Sequence, residues 1–125
     1  MERNMDLARA ILLGIEKHPR HSEQIHLTID GFSDEEISYH VKLLTDAQLI
    51  ESVKFAVSNS PPEYIPINMT WAGHEFLEAA RSEDRWAKAK KIMRQKGGGV
   101  VFDVLKTLLI ELTKVEVLAH LASAH

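Results

Sequence analysis

Four polar side chains between residues 38 and 42 are of types that contact DNA. Ser38, Tyr39, His40 and Lys42 carry hydroxyl, imidazole and ammonium groups. On a helix that enters the major groove, such donors and acceptors read base edges or bind phosphates. The first hypothesis is therefore that this segment recognises DNA.

The helix that must position these side chains has a clear start and a clear inner face. Ser33 and Glu36 have the spacing of a capping box, in which each side chain accepts the backbone N–H of the other residue. At about 100° per residue, Ile37, Val41 and Leu44 form one apolar stripe. The polar residues near position 40 then lie mainly on the opposite face, with His40 at the edge of the stripe, where packing is the alternative role.

Acidic residues on the same face are the main argument against DNA binding. Glu35 and Asp46 lie near Lys42, and two carboxylates facing a phosphate-lined groove oppose binding. Two interpretations therefore remain. The helix reads DNA, or the chain is a non-enzymatic interaction module that pairs its acidic residues with a basic protein partner.

A basic segment near the C-terminus offers a second set of contacts. Residues 81–96 carry seven Lys/Arg against two acids, whereas residues 1–51 carry five against ten. Phosphate contacts supply most non-specific DNA affinity. The remaining candidates are therefore Arg81, Arg85, Lys88 and Lys91 in this segment, and Lys54 in a predicted strand over residues 50–57. The alternative is an ordinary solvated helix face.

The hydrophobic pattern predicts a mainly helical α+β fold. Helices are predicted over about 4–17, 33–47, from Thr70 to Ala80, from a restart at Ser82, and over about 100–122. Strands are predicted over 24–29, 50–57 and 64–69, the last two forming a hairpin with a Pro-rich tip. We expect a winged-helix-like domain over 1–80 and a helical extension over 81–125, packed as one compact unit, with a hinge at Gly97–Gly99.

The last predicted helix is the most apolar part of the chain. Its side chains recur in alternating steps of four and three residues, the spacing of a coiled-coil seam. We expect a homodimer through this seam, with packing on its own domain as the alternative. The candidate interface residues are Val101, Leu105, Leu108, Leu112 and Val115.

Other chemistry has little support in the sequence. The chain has no cysteine, and its histidines lack paired ligand spacing, so no metal or cofactor is expected. No nucleophile motif or phosphate loop occurs, so we expect no enzymatic activity. Trp71 and Trp86 are expected to be core or interface anchors. A polar N-terminus and the lack of a bilayer-length apolar run predict a cytoplasmic protein without membrane contact.

Two segments resemble bacterial winged helix-turn-helix repressors. The first is residues 37–50, where Gln48 stands in place of the usual glycine. The second, residues 69–77, resembles the Leu-Thr-x-x-Gly start of the helix after the wing. The matching residues in the first segment are Ser38, His40, Val41, Leu44, Ala47, Leu49 and Ile50. The resemblance implies a wing and a recognition helix, but the helix that normally precedes the recognition helix is short, missing or replaced here.

A wider resemblance covers nearly the whole chain. It is carried by residues 6–16, 37–41, 70–81, 86–88, 97–98 and 104–106. These segments resemble a family of small uncharacterised bacterial and phage-borne proteins, which implies a winged-helix-like core with a helical extension and no established activity. The resulting expectation is a DNA-binding regulator of bacterial or phage type that binds double-stranded DNA.

Overall fold

The computed structural model describes residues 1–56, 58–96 and 101–123. The chain divides into two compact units, Met1–Leu77 and Glu78–His125. The predicted α+β class is confirmed, with a two-stranded antiparallel sheet and a C-terminal helix. The elements in chain order are α1 Met5–Lys17, α2 Asp34–Asp46, β1 Ile50–Phe55, β2 Glu63–Met69, α3 Trp71–Ala80, α4 Glu83–Gln95 and α5 Phe102–Ser123.

Helix α1 begins at a side-chain cap and buries one face. The Asn4 side-chain oxygen accepts the backbone N–H groups of Asp6 and Leu7, at 2.9 and 3.1 Å. These bonds satisfy two donors that the first turn of a helix leaves without intrahelical partners. Leu7, Ile11 and Leu12 are fully buried, and the helix contacts α2 and β2. The predicted first helix is confirmed.

Strands β1 and β2 form the predicted hairpin with one irregularity. Glu51 lies opposite Asn68, but Ser52 lies opposite Pro66, so Ile67 is an extra residue in β2. Such a bulge bends the strand locally. It coincides with a proline, which has no N–H to donate to a ladder. Val57, predicted to extend β1, lies outside the described residues.

The predicted strand over residues 24–29 is wrong, and Pro66 gives the reason. This extended segment runs beside β2, where the Ile25 N–H donates to the Pro66 carbonyl at 2.9 Å. An antiparallel ladder needs a return bond from residue 66, which proline cannot supply. The next outward donor, the Tyr64 N–H, is bonded to the Ser38 hydroxyl. Residues 18–33 contain no helix, which agrees with the expectation that a helix before the recognition helix is short, missing or replaced.

The second unit consists of α4 and α5 with the end of α3. The Ser82 hydroxyl accepts the Arg85 N–H at 3.2 Å, which confirms the predicted helix restart. Trp86, Ala89 and Met93 of α4 are buried, as are Leu105 and Leu109 of α5, and the two helices contact each other. The predicted glycine hinge at Gly97–Gly99 lies outside the described residues.

The two tryptophans differ in their surroundings. Trp86 is buried, as predicted, whereas Trp71 is 82% exposed and therefore not a core residue. Trp71 is the first residue of α3, where the helix begins at the surface. None of the described helices is long and apolar enough to cross a membrane.

Candidate nucleic-acid interface

The start of α2 is fixed by the predicted capping box. The Ser33 hydroxyl accepts the Glu36 N–H at 3.1 Å, and the Glu36 carboxylate accepts the Ser33 N–H at 3.0 Å. The bond from the Ser33 backbone holds the pKa of Glu36 below its ordinary value. Two of the otherwise unpaired donors of the first turn are thus satisfied, and this fixes where the candidate recognition helix starts.

The end of α2 has left-handed geometry at Gln48, the residue that stands in place of the usual glycine of the repressors. Gln48 has φ of 63°. The Gln48 N–H donates to the Thr45 carbonyl, and the Leu49 N–H donates to the Leu44 carbonyl. This pair of bonds defines a Schellman motif. The chain therefore keeps the turn with a glutamine at the position that favours glycine.

We expect Gln48→Gly to raise the free energy of unfolding by about 0.5–1 kcal/mol, because glycine avoids the steric cost of a Cβ atom at positive φ. Gln48 is exposed, so little packing is lost. Urea denaturation followed by circular dichroism measures the change. Ala47→Gly is the control, since residue 47 has φ of −78° and glycine there lowers stability. Equal effects of the two changes would contradict the prediction.

Helix α3 is joined to this turn by its own cap. The Thr70 hydroxyl donates to the Gln48 carbonyl at 2.7 Å and accepts the Gly73 N–H at 3.0 Å. The Thr70 N–H donates to the Leu49 carbonyl. A Cβ atom on Gly73 would overlap the Leu49 carbonyl oxygen. The turn after α2 and the start of α3 therefore meet backbone to backbone, which requires glycine at position 73.

His40 is removed from the candidate DNA contacts, because it belongs to the core. Its side chain is 2% exposed. Its Nε2 atom accepts the Asn4 N–H at 2.8 Å, and its Nδ1 atom donates to the Glu36 carbonyl at 2.8 Å. Both ring nitrogens are thus used between α1 and α2. The alternative role, a hydrogen-bonded packing residue at the edge of the apolar stripe, is confirmed.

Two other candidates from the first unit, Ser38 and Lys54, lie beside Tyr64. The Ser38 hydroxyl accepts the Tyr64 N–H at 2.9 Å, which ties α2 to β2. Lys54 lies across the hairpin from Tyr64, with its Nζ atom 5.8 Å from the ring centroid. The pKa of Lys42 is raised mainly by its bond to Asp46, with small electrostatic contributions from Tyr64 and Tyr39. We call Tyr39, Lys42, Lys54 and Tyr64 the Tyr64 cluster.

The charge of the Tyr64 cluster is partly neutralised by one acid. The Lys42 ammonium donates to the Asp46 carboxylate at 2.8 Å, and this bond is the main reason that the pKa of Lys42 is raised. Asp34 and Glu35 are exposed at the start of α2. The face of α2 thus has an acidic N-terminal end, and the cations lie towards the hairpin.

Sequence reasoning missed Tyr64, although a signal was present. The predicted hairpin pairs β1 with β2, and its register places Lys54 directly opposite Tyr64. Cross-strand neighbours on one face lie close enough for their side chains to interact. Pairing the two strands residue by residue would have put an aromatic ring beside the wing lysine.

The basic candidates of the second unit fall into two groups. Arg81 pairs with Glu78 at 2.9 Å, and Arg85 binds Glu116 at 2.7 Å. Arg85 also donates to the Ala79 carbonyl at 2.8 Å, so it is mainly structural. Its bond to Glu116 lowers the pKa of that carboxyl. The other two candidates, Lys88 and Lys91, are exposed on the side of α4 away from the buried Trp86, and Arg94 is exposed on the flank between them and Trp86. We call them the α4 basic face.

The candidate dimer residues are only partly available. Leu105 is fully buried within the second unit, so it is corrected from an intermolecular to an intramolecular contact. Leu112 is half-buried. Val101 and Val115 are exposed, and Leu108 is half-buried. Within the described parts of the chain, no group of three or more His, Asp or Glu side chains is placed to hold a metal ion.

Comparisons with known proteins extend the resemblance found in the sequence. A model of the family described as "Hypothetical protein (DUF2513)" matches residues 2–99. The chain is also similar to an uncharacterised protein of Haemophilus influenzae, with 35% identity over 107 residues that cover 85% of this chain and 90% of the relative. No solved structure matches, so the winged-helix resemblance stays a prediction. From the family match and the relative together, the chain belongs to the DUF2513 family.

Proposed function

We propose that this protein is a DNA-binding regulator of bacterial or phage type. The observation that carries the proposal is the Tyr64 cluster, where Lys54 of the hairpin lies beside the Tyr64 ring and Ser38 bonds the Tyr64 backbone to the helix that carries Tyr39 and Lys42. Lysines bind phosphates, and a tyrosine hydroxyl donates to phosphate or base oxygens. The α4 basic face, in the second unit, is a separate candidate for phosphate contacts.

The arrangement favours backbone contacts over base readout. Of the four α2 residues that the sequence nominated, His40 is buried and the Ser38 hydroxyl already accepts the Tyr64 N–H. The other two, Tyr39 and Lys42, remain candidates. They lie on the outer side of the helix, where their side chains are half-buried. A protein that binds mainly through phosphates shows steep salt dependence and modest sequence preference. This proposal therefore places the protein among weakly selective duplex binders.

Fluorescence anisotropy with a labelled DNA duplex, measured over a series of salt concentrations, tests the proposal. Lys42→Ala and Lys54→Ala are each expected to weaken binding several-fold and to lower the salt slope by about one, since each removes one phosphate contact. Asp46→Asn is expected to tighten binding, because it releases Lys42 from its carboxylate partner at 2.8 Å.

Lys17→Ala serves as the charge-matched control, because Lys17 is exposed at the end of α1, outside the Tyr64 cluster. It should leave the salt slope unchanged. Absence of binding at low salt, where electrostatic attraction is strongest, would refute the proposal. Equal losses from Lys17→Ala and Lys42→Ala would refute the role of the cluster.

A second candidate function is binding of a basic protein segment. A groove in the first unit, about 220 Å³ in volume, is lined by Asp34, Glu63 and His26 around apolar side chains that include Ile37 and Ile65. Carboxylates beside an apolar floor suit the ammonium group and aliphatic stem of a lysine. Asp34 belongs to the acidic first part of the chain, residues 1–51, whereas Glu63 comes from β2.

The two candidates respond oppositely to loss of these acids. The double variant Asp34→Asn/Glu63→Gln should lose affinity for an oligolysine peptide, measured by calorimetry, if the groove binds basic segments. The same variant should gain affinity for duplex DNA if the protein binds phosphates, because two repulsive charges are removed. A variant that binds oligolysine as well as the parent chain does would exclude the second candidate.

A further inference from the structure

Helix α5 has an exposed apolar seam that differs from the one predicted from the sequence. Val104 and Val115 are 52% and 63% exposed, and Leu118 is 65% exposed. With their neighbours they follow alternating steps of four and three residues, the period of a coiled-coil contact. We define the α5 seam as Val104, Leu108, Glu111, Val115, Leu118 and Ala122. It lies beside the buried stripe of Leu105 and Leu109, which packs within the unit.

We propose that the α5 seam is the contact surface for a second copy of this chain, in antiparallel orientation. The reason is that the seam is symmetric about Thr113. When the helix is reversed around that residue, Val104 faces Ala122 of the second copy, Leu108 faces Leu118, and Glu111 faces Val115. A two-fold interface requires this kind of self-complementarity, in which one patch meets itself.

Charge on the flank of the seam supports the same pairing. Glu111 and Lys114 form an ion pair within one helix, at 3.4 Å. In the reversed alignment each Glu111 lies level, within one residue, with Lys114 of the second copy. Because one residue of helix rises about 1.5 Å, each carboxylate then has an ammonium group on both helices. In this pairing the single acid in the seam keeps the lysine of its own helix and gains a second one from the other copy.

A groove beside the seam completes the surface. It is lined by Ile92 and Met93 of α4 and by Val104 and Leu108 of α5, with a volume of about 500 Å³. In the antiparallel pairing, Leu118 and Ala122 of the second copy lie at the Leu108 and Val104 end of the seam, which borders this groove. Helix α4 therefore takes part in the contact, and the assembly contains two α4 and two α5 helices.

The pairing also has a geometric consequence. A two-fold axis perpendicular to both α5 helices places the same flank of each seam on the same side of the pair. Helix α4 lies on one flank, so both α4 helices lie on the same side of the pair. Two α4 basic faces are then presented together. The dimer itself does not depend on the proposed DNA binding, because its contacts are apolar and internal to the protein.

Analytical ultracentrifugation of the full chain at tens of micromolar, without DNA, tests the proposal. The parent chain is expected to sediment as a dimer, and Val115→Asp as a monomer. Val117→Asp is the matched control: it is also a valine, 53% exposed, but about 200° further around the helix. It should leave the dimer intact. A monomeric parent chain, a dimeric Val115→Asp variant, or equal disruption by both variants would overturn the proposal.

Charge reversal tests the alignment of the two helices. Glu111→Lys is expected to weaken the dimer about tenfold, because it places like charges beside Lys114 of the second copy. Adding Lys114→Glu should restore the parent affinity by exchanging the two signs. A double variant as weak as the single one would exclude this alignment.

The absence of cysteine from the chain allows a test of direction. An oxidised mixture of Leu108→Cys and Leu118→Cys chains should form mixed disulfide dimers, because these positions face each other only in the antiparallel pair. Leu118→Cys alone should not crosslink, since the two copies of residue 118 are then about 15 Å apart along the axis. Crosslinking of Leu118→Cys alone would establish a parallel pair and overturn the proposal.

Discussion

Replacing Gly73 with alanine is expected to lower the free energy of unfolding by about 3 kcal/mol, the upper part of the range for overpacked sites. In most helices this change is stabilising by about 1 kcal/mol. Here the new Cβ atom would overlap the Leu49 carbonyl oxygen and the Met69 side chain. The carbonyl is part of the backbone and cannot rotate away, so α3 must move. Urea denaturation followed by circular dichroism measures the loss.

Movement of α3 would also disturb the bonds that join it to the turn after α2. Thr70 contributes two of these bonds, to the carbonyls of Leu49 and Gln48. They depend on the same close approach of the two backbones. The expected loss therefore includes weakened hydrogen bonds as well as the direct overlap, and it should exceed the effect of Thr70→Ala, which removes only the hydroxyl.

Gly14→Ala is the matched control for Gly73→Ala. Gly14 also lies within a helix, and a Cβ atom there would come 2.8 Å from the Cδ2 atom of Leu27. That atom is the end of a flexible side chain in an irregular segment, so it can move aside. We expect this variant to be neutral or slightly more stable than the parent chain. Similar losses from both alanines would show that backbone contact is not what distinguishes Gly73.

Local spacing predicted the parts of the candidate site that depend on neighbours in the chain. The capping box needs only Ser33 and Glu36, three residues apart. The hairpin follows from two alternating segments with a Pro-rich connection. Each of these features is stabilised by bonds between residues close in sequence, which is why patterns in the sequence reveal them.

Features that join distant segments were not predictable in the same way. The bond between Asn4 and His40 spans 36 residues, and the bond between Ser38 and Tyr64 spans 26. The types of these residues do not indicate which distant residue each one contacts. The false strand over 24–29 has the same origin, since its alternation was real but its neighbour, β2, carries a proline that cannot return a ladder bond.

Helix α5 shows a different limit of periodicity. Its apolar residues cover more than one face, so the sequence pattern fits several seams equally well. The packing of α4 resolves the choice by burying Leu105 and Leu109. What remains exposed is a neighbouring stripe with the same spacing. When one helix makes two contacts, the sequence does not show which of its residues belong to each contact. The assignment requires knowing which helix of the same chain packs against it.

His40→Phe is expected to lower the free energy of unfolding by about 1–3 kcal/mol, the range for leaving buried polar groups without partners. Phenylalanine fills a similar volume but cannot accept the Asn4 N–H or donate to the Glu36 carbonyl. Thermal denaturation of the full chain measures the loss. His74→Phe, at an exposed position, is the control and should change stability little.

Because Asn4 also caps α1 through its side chain, hydrogen exchange should increase in the first turn of α1 in His40→Phe alone. Unchanged exchange there would mean that the imidazole fills space in the core and does not hold α1 against α2.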